Sequence, residues 1–281
     1  LGLHGIYISV IILVLTGLLQ LKQKHAASTS TVSVVIAARN EEKRIKPTLE
    51  SLEKLDYPRG LYEVIFVDDA SVDRTPELIS HYVKKYPNWS LIRLKKKSQQ
   101  LRGKKKALKL AIEQAAGEII FTTDADCVVP ENWLKQMACY FREDTSMVLG
   151  HSPLVRGKGL LNLLLSFDNL FSAIVAAAPT KLGFALTSVG RNLAYRKENY
   201  VQVGGFDALK RFKSGDDVHL TERFRSKGTG KIDFCAQPDT FVYTRPPGTV
   251  NEILHQQIRK NSKTLNKSLP AVLFSILILL Y

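Results

Sequence analysis

Cysteine is scarce in this chain: Cys127, Cys139 and Cys235 are the three present, and no two stand in a Cys-x-x-Cys pair. That excludes a disulfide framework and a thiolate zinc site, and fits packing residues in a reducing compartment. Internal repeats, low-complexity tracts and Pro- or Gly-rich linkers are also missing. Residues 31–265 therefore read as one domain of a size common for α/β folds. Acids are outnumbered, 26 Asp+Glu against 40 Lys+Arg, for a formal net charge of +14. Such an excess calls for an anionic partner: a phosphate-bearing substrate, a nucleic acid or an acidic membrane surface. With 45% hydrophobic and 23% charged residues, disorder is excluded.

No Lys or Arg precedes the first long apolar run, "GIYISVIILVLTGLLQL" (5–21), which argues against a cleaved signal peptide. As a helix this uncharged run is roughly 26 Å long, near the minimum for a bilayer. Lys22 and Lys24 follow it. Residues 1–24 are thus predicted to be a transmembrane helix, with the domain behind it in the cytoplasm by the positive-inside rule. Near the other end, "LPAVLFSILILL" (269–280) stands behind Arg259, Lys260, Lys263 and Lys267. Residues 268–281 are read as the truncated start of a second membrane segment, making a multi-pass protein; a buried core helix is the alternative.

Between the apolar ends, short β-branched runs alternate with amphipathic stretches. Strands are predicted at 32–38, 63–69, 89–94 and 118–123, and helices at 40–55, 75–86 and 104–116. This pattern gives an α/β fold with a mostly parallel sheet flanked by helices, whose ligands collect beyond the carboxyl ends of the strands. Asn40, Glu41, Asp68, Asp69, Asp124 and Asp126 all fall on that edge.

In "FTTDADCVVP" (121–130), Asp124 and Asp126 are two apart behind a strand, so both carboxylates point to one side. Such a pair suits a hard divalent cation, Mg²⁺ or Mn²⁺; a solvated acidic turn is the plainer reading. From Arg93 to Lys109 run nine cations and no acid. Among them Lys104, next to Gly103 at a helix start, is the candidate phosphate contact, and the others read as a solvated face. "SGDDVHL" (214–220) offers Asp216 and Asp217 at another helix start, as caps or as a general base. "GLLNLLLSFDNLFSAIVAAA" (159–178) is apolar on most faces, and is either a buried helix or an interfacial one lining an acceptor site. His151 and His219 are isolated and read as ordinary histidines.

Six segments in order, "VSVVIAARNEE" (32–42), "VIFVDDASVDRT" (64–75), "GKKKAL" (103–108), "TTDADCVVPENWL" (122–134), "GRNLAYRKENYVQVGGFD" (190–207) and "GDDVHL" (215–220), resemble the successive motifs of family 2 glycosyltransferases. The resemblance covers most of residues 31–230. It implies a GT-A fold and inverting transfer of a sugar from a nucleotide-diphosphate donor, a UDP-sugar, to a hydroxyl of a glycan or lipid-linked acceptor. It further implies that Ala37, Ala38, Arg39, Glu41 and Asp69 hold the base, that Lys104 serves the donor, and that Asp124 serves ribose and metal. Asp126 is then the direct cation ligand, and Asp217, beside Asp216, deprotonates the acceptor. Gly190, Arg191 and Asn192, with Gln256, Gln257 and Arg259, fall on the acceptor side.

Two departures stand out. Ala37 and Arg39 occupy positions where the family usually has Pro and Tyr. In "HQQIRKNSK" (255–263), Lys260 replaces the Trp of a Q-x-x-R-W motif and cannot supply a stacking platform for an acceptor sugar. No nucleic-acid partner is expected. The rival readings are a metal-dependent nucleotidyltransferase, which would release pyrophosphate, and a non-enzymatic module binding anionic lipid or nucleic acid.

Overall fold

The structure, a computed structural model, describes residues 3–21, 29–94, 103–155, 157–212 and 215–247, with 249, 251–254 and 258 besides. An apolar helix, α1 (Leu3–Leu19), comes first. Strand and helix then alternate: β1 (Val32–Ala38), α2 (Ile45–Leu52), β2 (Tyr62–Asp68), α3 (Thr75–Val83), β3 (Trp89–Arg93), α4 (Lys104–Gln114) and β4 (Ile119–Asp124). Next come β5 (Cys127–Val128), α5 (Trp133–Ala138), β6 (Thr145–Gly150), α6 (Leu160–Lys181) and β7 (Leu193–Arg196). The order closes with α7 (Lys197–Gln202), α8 (Asp216–Lys227), β8 (Lys231–Cys235) and β9 (Tyr243–Thr244).

Seven strands form one sheet in the order β3-β2-β1-β4-β7-β6-β8. β1 is parallel to β2 and β4, β2 to β3, and β6 to β8, while β7 is antiparallel to both its neighbours. The mostly parallel, helix-flanked sheet expected from the alternation is present. Val32, Val34 and Ile36 of β1 enter one core with Phe66, Phe121, Ile45, Leu49 and Trp133. Val35 enters the other with Ile65, Ile120, Ala107, Leu108 and Phe224. Burial on both faces is why this strand is a continuous apolar run. Each fully buried aliphatic or aromatic side chain contributes about 1.5–3 kcal/mol.

From β1 the chain builds β2 and β3 on one side and then returns to β4 on the other. A crevice opens at the carboxyl ends of β1 and β4, where the strand order reverses. Because β7 runs in the opposite sense, the loop before it, residues 190–192, reaches the same edge.

The helix predicted over 40–55 is confined to Ile45–Leu52. Asn40 holds a left-handed backbone, φ 56°. The backbone N–H groups of Asn40, Glu41 and Glu42 donate to Ser71 Oγ, Thr75 Oγ1 and Asp73 Oδ2 at 3.0, 2.8 and 3.1 Å. These side chains take the donors a helix start would otherwise leave free, so the segment stays a loop.

α1 packs along α6. Gly17 lies so close to Ala178 that a Cβ there would run into the Ala178 carbonyl. The last turns of α6, from Ala176 to Lys181, are buried. Lys181 Nζ pairs with Asp233 Oδ1 of β8 at 2.6 Å, with both side chains almost wholly enclosed. Earlier in α6, Leu160, Leu161, Leu163, Leu164, Phe167, Leu170 and Phe171 are exposed. The run left open between buried and interfacial therefore has an apolar outer face over its first two thirds. Among the described residues, α6 with 22 residues is the one helix long and apolar enough to cross a membrane. α1 has 17 described residues, fewer than the ~20 a span needs. Lys22, Lys24 and residues 268–281 lie outside the described residues.

Candidate active site

At the carboxyl ends of β1 and β2, the Asp69 N–H donates to the Ala38 carbonyl at 2.9 Å. Arg39 turns onto Asp69, with Nη1 3.4 Å from Oδ2. Asn40 Oδ1 accepts from the Val72 N–H at 2.9 Å, and Ala70 takes a left-handed φ of 54°, a strained conformation for alanine. Ala37 pairs in register with Asp124 of β4. Ala37, Ala38, Arg39 and Asp69 thus share one end of the crevice.

Asp124 closes β4, and the turn after it is pinned from α2, where Thr48 Oγ1 donates to the Ala125 carbonyl at 2.8 Å. Ala125 is buried, while Asp124 and Asp126 on either side are half-buried. Ligand atoms of Asp124, Asp126 and Cys127 lie within 4.8 Å of one another. Two carboxylates offer the oxygen donors that Mg²⁺ or Mn²⁺ takes. The third group is a soft sulfur donor, which a hard ion does not favour; burial, then Asp124 and Asp126, pushes the Cys127 thiol up to about 12. The donor set therefore fits a hard divalent ion. A further acid faces the pair, for the Glu41 carboxyl is raised by burial and then by Asp126, with Arg44 opposing and Asp124 and Asp73 adding. Lys104, behind Gly103, pairs with Asp124. Partial desolvation opposes its charge, but Asp124, Asp217 and Asp216 outweigh that and raise its pKa.

Across the crevice, α8 begins after Gly215, whose φ of 85° suits glycine. Asp217 Oδ2 accepts from the Gly190 N–H at 3.0 Å, and Oδ1 from the Val218 N–H at 3.0 Å. Thr122 Oγ1 donates to the Gly190 carbonyl at 2.7 Å. The strand that carries the acid pair therefore also sets the loop that holds Asp217. Asp216 Oδ1 lies 3.1 Å from Lys105 Nζ; burial raises its pKa and Lys105 opposes that.

Of the acceptor-side candidates, Gly190 touches Asp217, and Arg191 Nε donates to Ser152 Oγ at 2.7 Å. Asn192 needs correcting. It is fully buried, its Oδ1 accepts from Trp133 Nε1 at 2.9 Å, and its Nδ2 donates to the His151 and Thr240 carbonyls at 2.6 and 2.8 Å. Its amide is spent inside the protein and orients the loop instead of meeting an acceptor. Gln256, Gln257, Arg259 and Lys260 lie outside the described residues. Thr122 was not among the candidates, and Lys105, read with the other cations as part of a solvated face, is instead buried. A threonine in a strand and one lysine among nine cations carry no signal of their own.

The model of glycosyl transferase family 2 matches residues 33–203, more than half of the chain. The chain belongs to glycosyl transferase family 2. A beta-monoglucosyldiacylglycerol synthase of Nostoc sp. is 35% identical over 113 residues, which are 40% of this chain and 24% of that protein. The matched stretch is about a quarter of the length of such curated relatives. Among solved structures, the mannosyltransferase PcManGT from Pyrobaculum calidifontis, in complex with GDP-Man and Mn²⁺, has a TM-score of 0.70 at 21% identity, covering 95% of this chain and 75% of its own. S. aureus TarS 1-349 in complex with UDP-GlcNAc has a TM-score of 0.57 at 24% identity, over 78% of this chain and 59% of its own. At these identities the shared feature is the fold.

Proposed function

We propose that this family 2 member is an inverting glycosyltransferase. It moves a sugar from a UDP-sugar to a hydroxyl of a lipid-linked or glycan acceptor at a membrane, with the catalytic domain on the cytoplasmic side. The observation that carries this reading is the division of acids along one sheet edge. Asp124 ends β4 and Asp126 follows it, with Lys104 on Asp124, while Asp217 comes from α8 and is tied to the Gly190 loop. Glycosyl transfer uses positive charge for the departing diphosphate and, separately, a base for the incoming hydroxyl.

Asp126, with Asp124, would hold Mg²⁺ or Mn²⁺, and a bound ion supplies charge neutralisation to the diphosphate. Lys104 carries a second positive charge to the same phosphates. The backbone from Ala37 to Glu41, with Arg39 and Asp69, receives the base, and Asp124 serves the ribose. Asp217 takes the hydroxyl proton, its carboxylate oriented by the Gly190 and Val218 N–H groups. The complexes of PcManGT with GDP-Man and Mn²⁺ and of TarS with UDP-GlcNAc support a nucleotide-sugar donor. A diacylglycerol acceptor in the Nostoc relative's name and the exposed apolar face of α6 support a lipid-linked acceptor.

Asp126→Ala is expected to weaken Mn²⁺-dependent UDP binding at least about tenfold by titration calorimetry, since it removes one of the two carboxylates offered to the ion. Unchanged affinity in excess Mn²⁺ would remove Asp126 from this role. In parallel, UDP-glucose, UDP-N-acetylglucosamine and GDP-mannose are assayed for the released product. A nucleoside diphosphate supports glycosyl transfer; pyrophosphate would make the chain a nucleotidyltransferase.

A further inference from the structure

Lys105 is unlike the other cations of its run. Its side chain is 7% exposed, against 41% for neighbouring Lys104. An ammonium has three N–H donors, and three oxygens stand around this one. Nζ donates to the Leu209 carbonyl at 3.2 Å and to the Phe212 carbonyl, and it forms an ion pair with Asp216 Oδ1 at 3.1 Å without the alignment of a hydrogen bond. All three come from one stretch, 209–216, that leads into Asp217. Lys109, one turn further along α4, reaches the same region and pairs with Asp207 Oδ2 at 2.6 Å. Phe212 continues the clamp by stacking on His219 of α8, centroids 3.7 Å apart.

Two consecutive lysines at the start of α4 thus address the two halves of the site. Lys104 meets Asp124 on the phosphate side, and Lys105 meets Asp216, adjacent to the base. Resting on the glycosyltransfer reading, we infer that Lys105 is a positioning residue that fixes the start of α8, and with it the Asp217 carboxylate, in register with the donor site. Held from α4 on one side and by the Gly190 N–H on the other, Asp217 cannot drift relative to the phosphate-binding residues. A misplacement of about 1 Å at a catalytic group costs on the order of a hundredfold in rate, so the clamp acts on turnover and not on donor affinity.

The plainer role for a buried ammonium is to neutralise Asp216, and the test separates the two. K105M/D216N removes both charges, so no unpaired carboxylate is left buried, and it is compared with D216N alone. Melting temperature, UDP affinity in Mn²⁺, and kcat for UDP release from UDP-glucose and UDP-N-acetylglucosamine are measured. If Lys105 positions the base, kcat falls at least about tenfold below that of D216N while UDP affinity stays within about twofold. Equal kcat in the two variants overturns the assignment, as does a parallel loss of kcat and UDP affinity, which would mean general loosening. If the double variant does not fold, K105Q/D216N, which puts a neutral amide in place of the ammonium and again leaves no unpaired carboxylate, is the second variant, and the same split is required of it. UDP binding without UDP release by the unaltered chain would overturn the glycosyltransfer reading itself, and this assignment with it.

Discussion

Asp216 and Asp217 are neighbours in the first turn of α8, yet their surroundings give them different work. Asp216 faces the buried Lys105 ammonium, whereas the Asp217 oxygens accept the backbone N–H groups of Gly190 and Val218. Those N–H groups orient the carboxylate, as a proton acceptor requires. Asp217→Asn keeps the size and one acceptor oxygen but cannot take a proton. It is expected to lower the rate of sugar transfer by about 10²–10⁴-fold, the range of general-base contributions, while UDP affinity in Mn²⁺ is unchanged. An Asn variant with full turnover would exclude Asp217 as the base. The aspartates were legible because an acid pair at a helix start has a chemistry to offer. Lys105 was not, because its burial is decided by Leu209, Phe212 and Asp216, about a hundred positions later in the chain.

Among the elements, β1 formed over the predicted residues, 32–38, because a strand buried on both faces writes its burial directly into sequence. The segment after it read as a helix from Asn40 and is a loop as far as Arg44, because its N–H groups answer to Ser71 and Asp73 of the next loop and to Thr75 at the start of α3. Local pattern cannot show such a partner. Asn192 marks the same limit: it reads as a polar residue near the acceptor but holds α5, the end of β6 and the Thr240 turn together. Asn192→Ala would leave Trp133 Nε1 and the Thr240 carbonyl without their partner in the interior, while the His151 carbonyl keeps the Val242 N–H. With each unmet buried group costing about 1–3 kcal/mol, the variant is expected to lose roughly 2 kcal/mol or more of stability. Denaturant unfolding measures this. A loss within about 0.5 kcal/mol, the range of surface substitutions, would return Asn192 to the acceptor side. Gly150→Ala is expected to act on the same junction, since a Cβ there would collide with the Asn192 amide.

For the whole molecule, the question is what covers the outer face of α6. Leu163 and Phe167, one turn apart, are 66% and 70% exposed, and α1 adds Ile8, Ile11, Ile12 and Leu15 to the same apolar pair of helices. A contiguous surface of this kind marks a membrane or protein contact, and the part of α6 ahead of its buried end, residues 160–175, is about 24 Å long. Its buried end is locked to β8 by the Lys181–Asp233 pair, so insertion would fix the sheet edge relative to the lipid surface. The net charge of +14 adds attraction to anionic lipid, but of a different kind. Apolar insertion survives salt, whereas surface electrostatics is screened within about 10 Å at 0.1 M salt and much less at higher concentrations. L163D/F167D is therefore expected to reduce co-sedimentation with neutral phosphatidylcholine vesicles at least about tenfold, since each Asp places a charge costing on the order of 2.5–3.5 kcal/mol in the hydrocarbon region. The melting temperature should not change, because both side chains already face outward. If the double variant instead binds as the unaltered chain does, only to vesicles containing phosphatidylserine and only at low salt, attachment belongs to the basic surface. The apolar face of α6 then has another partner.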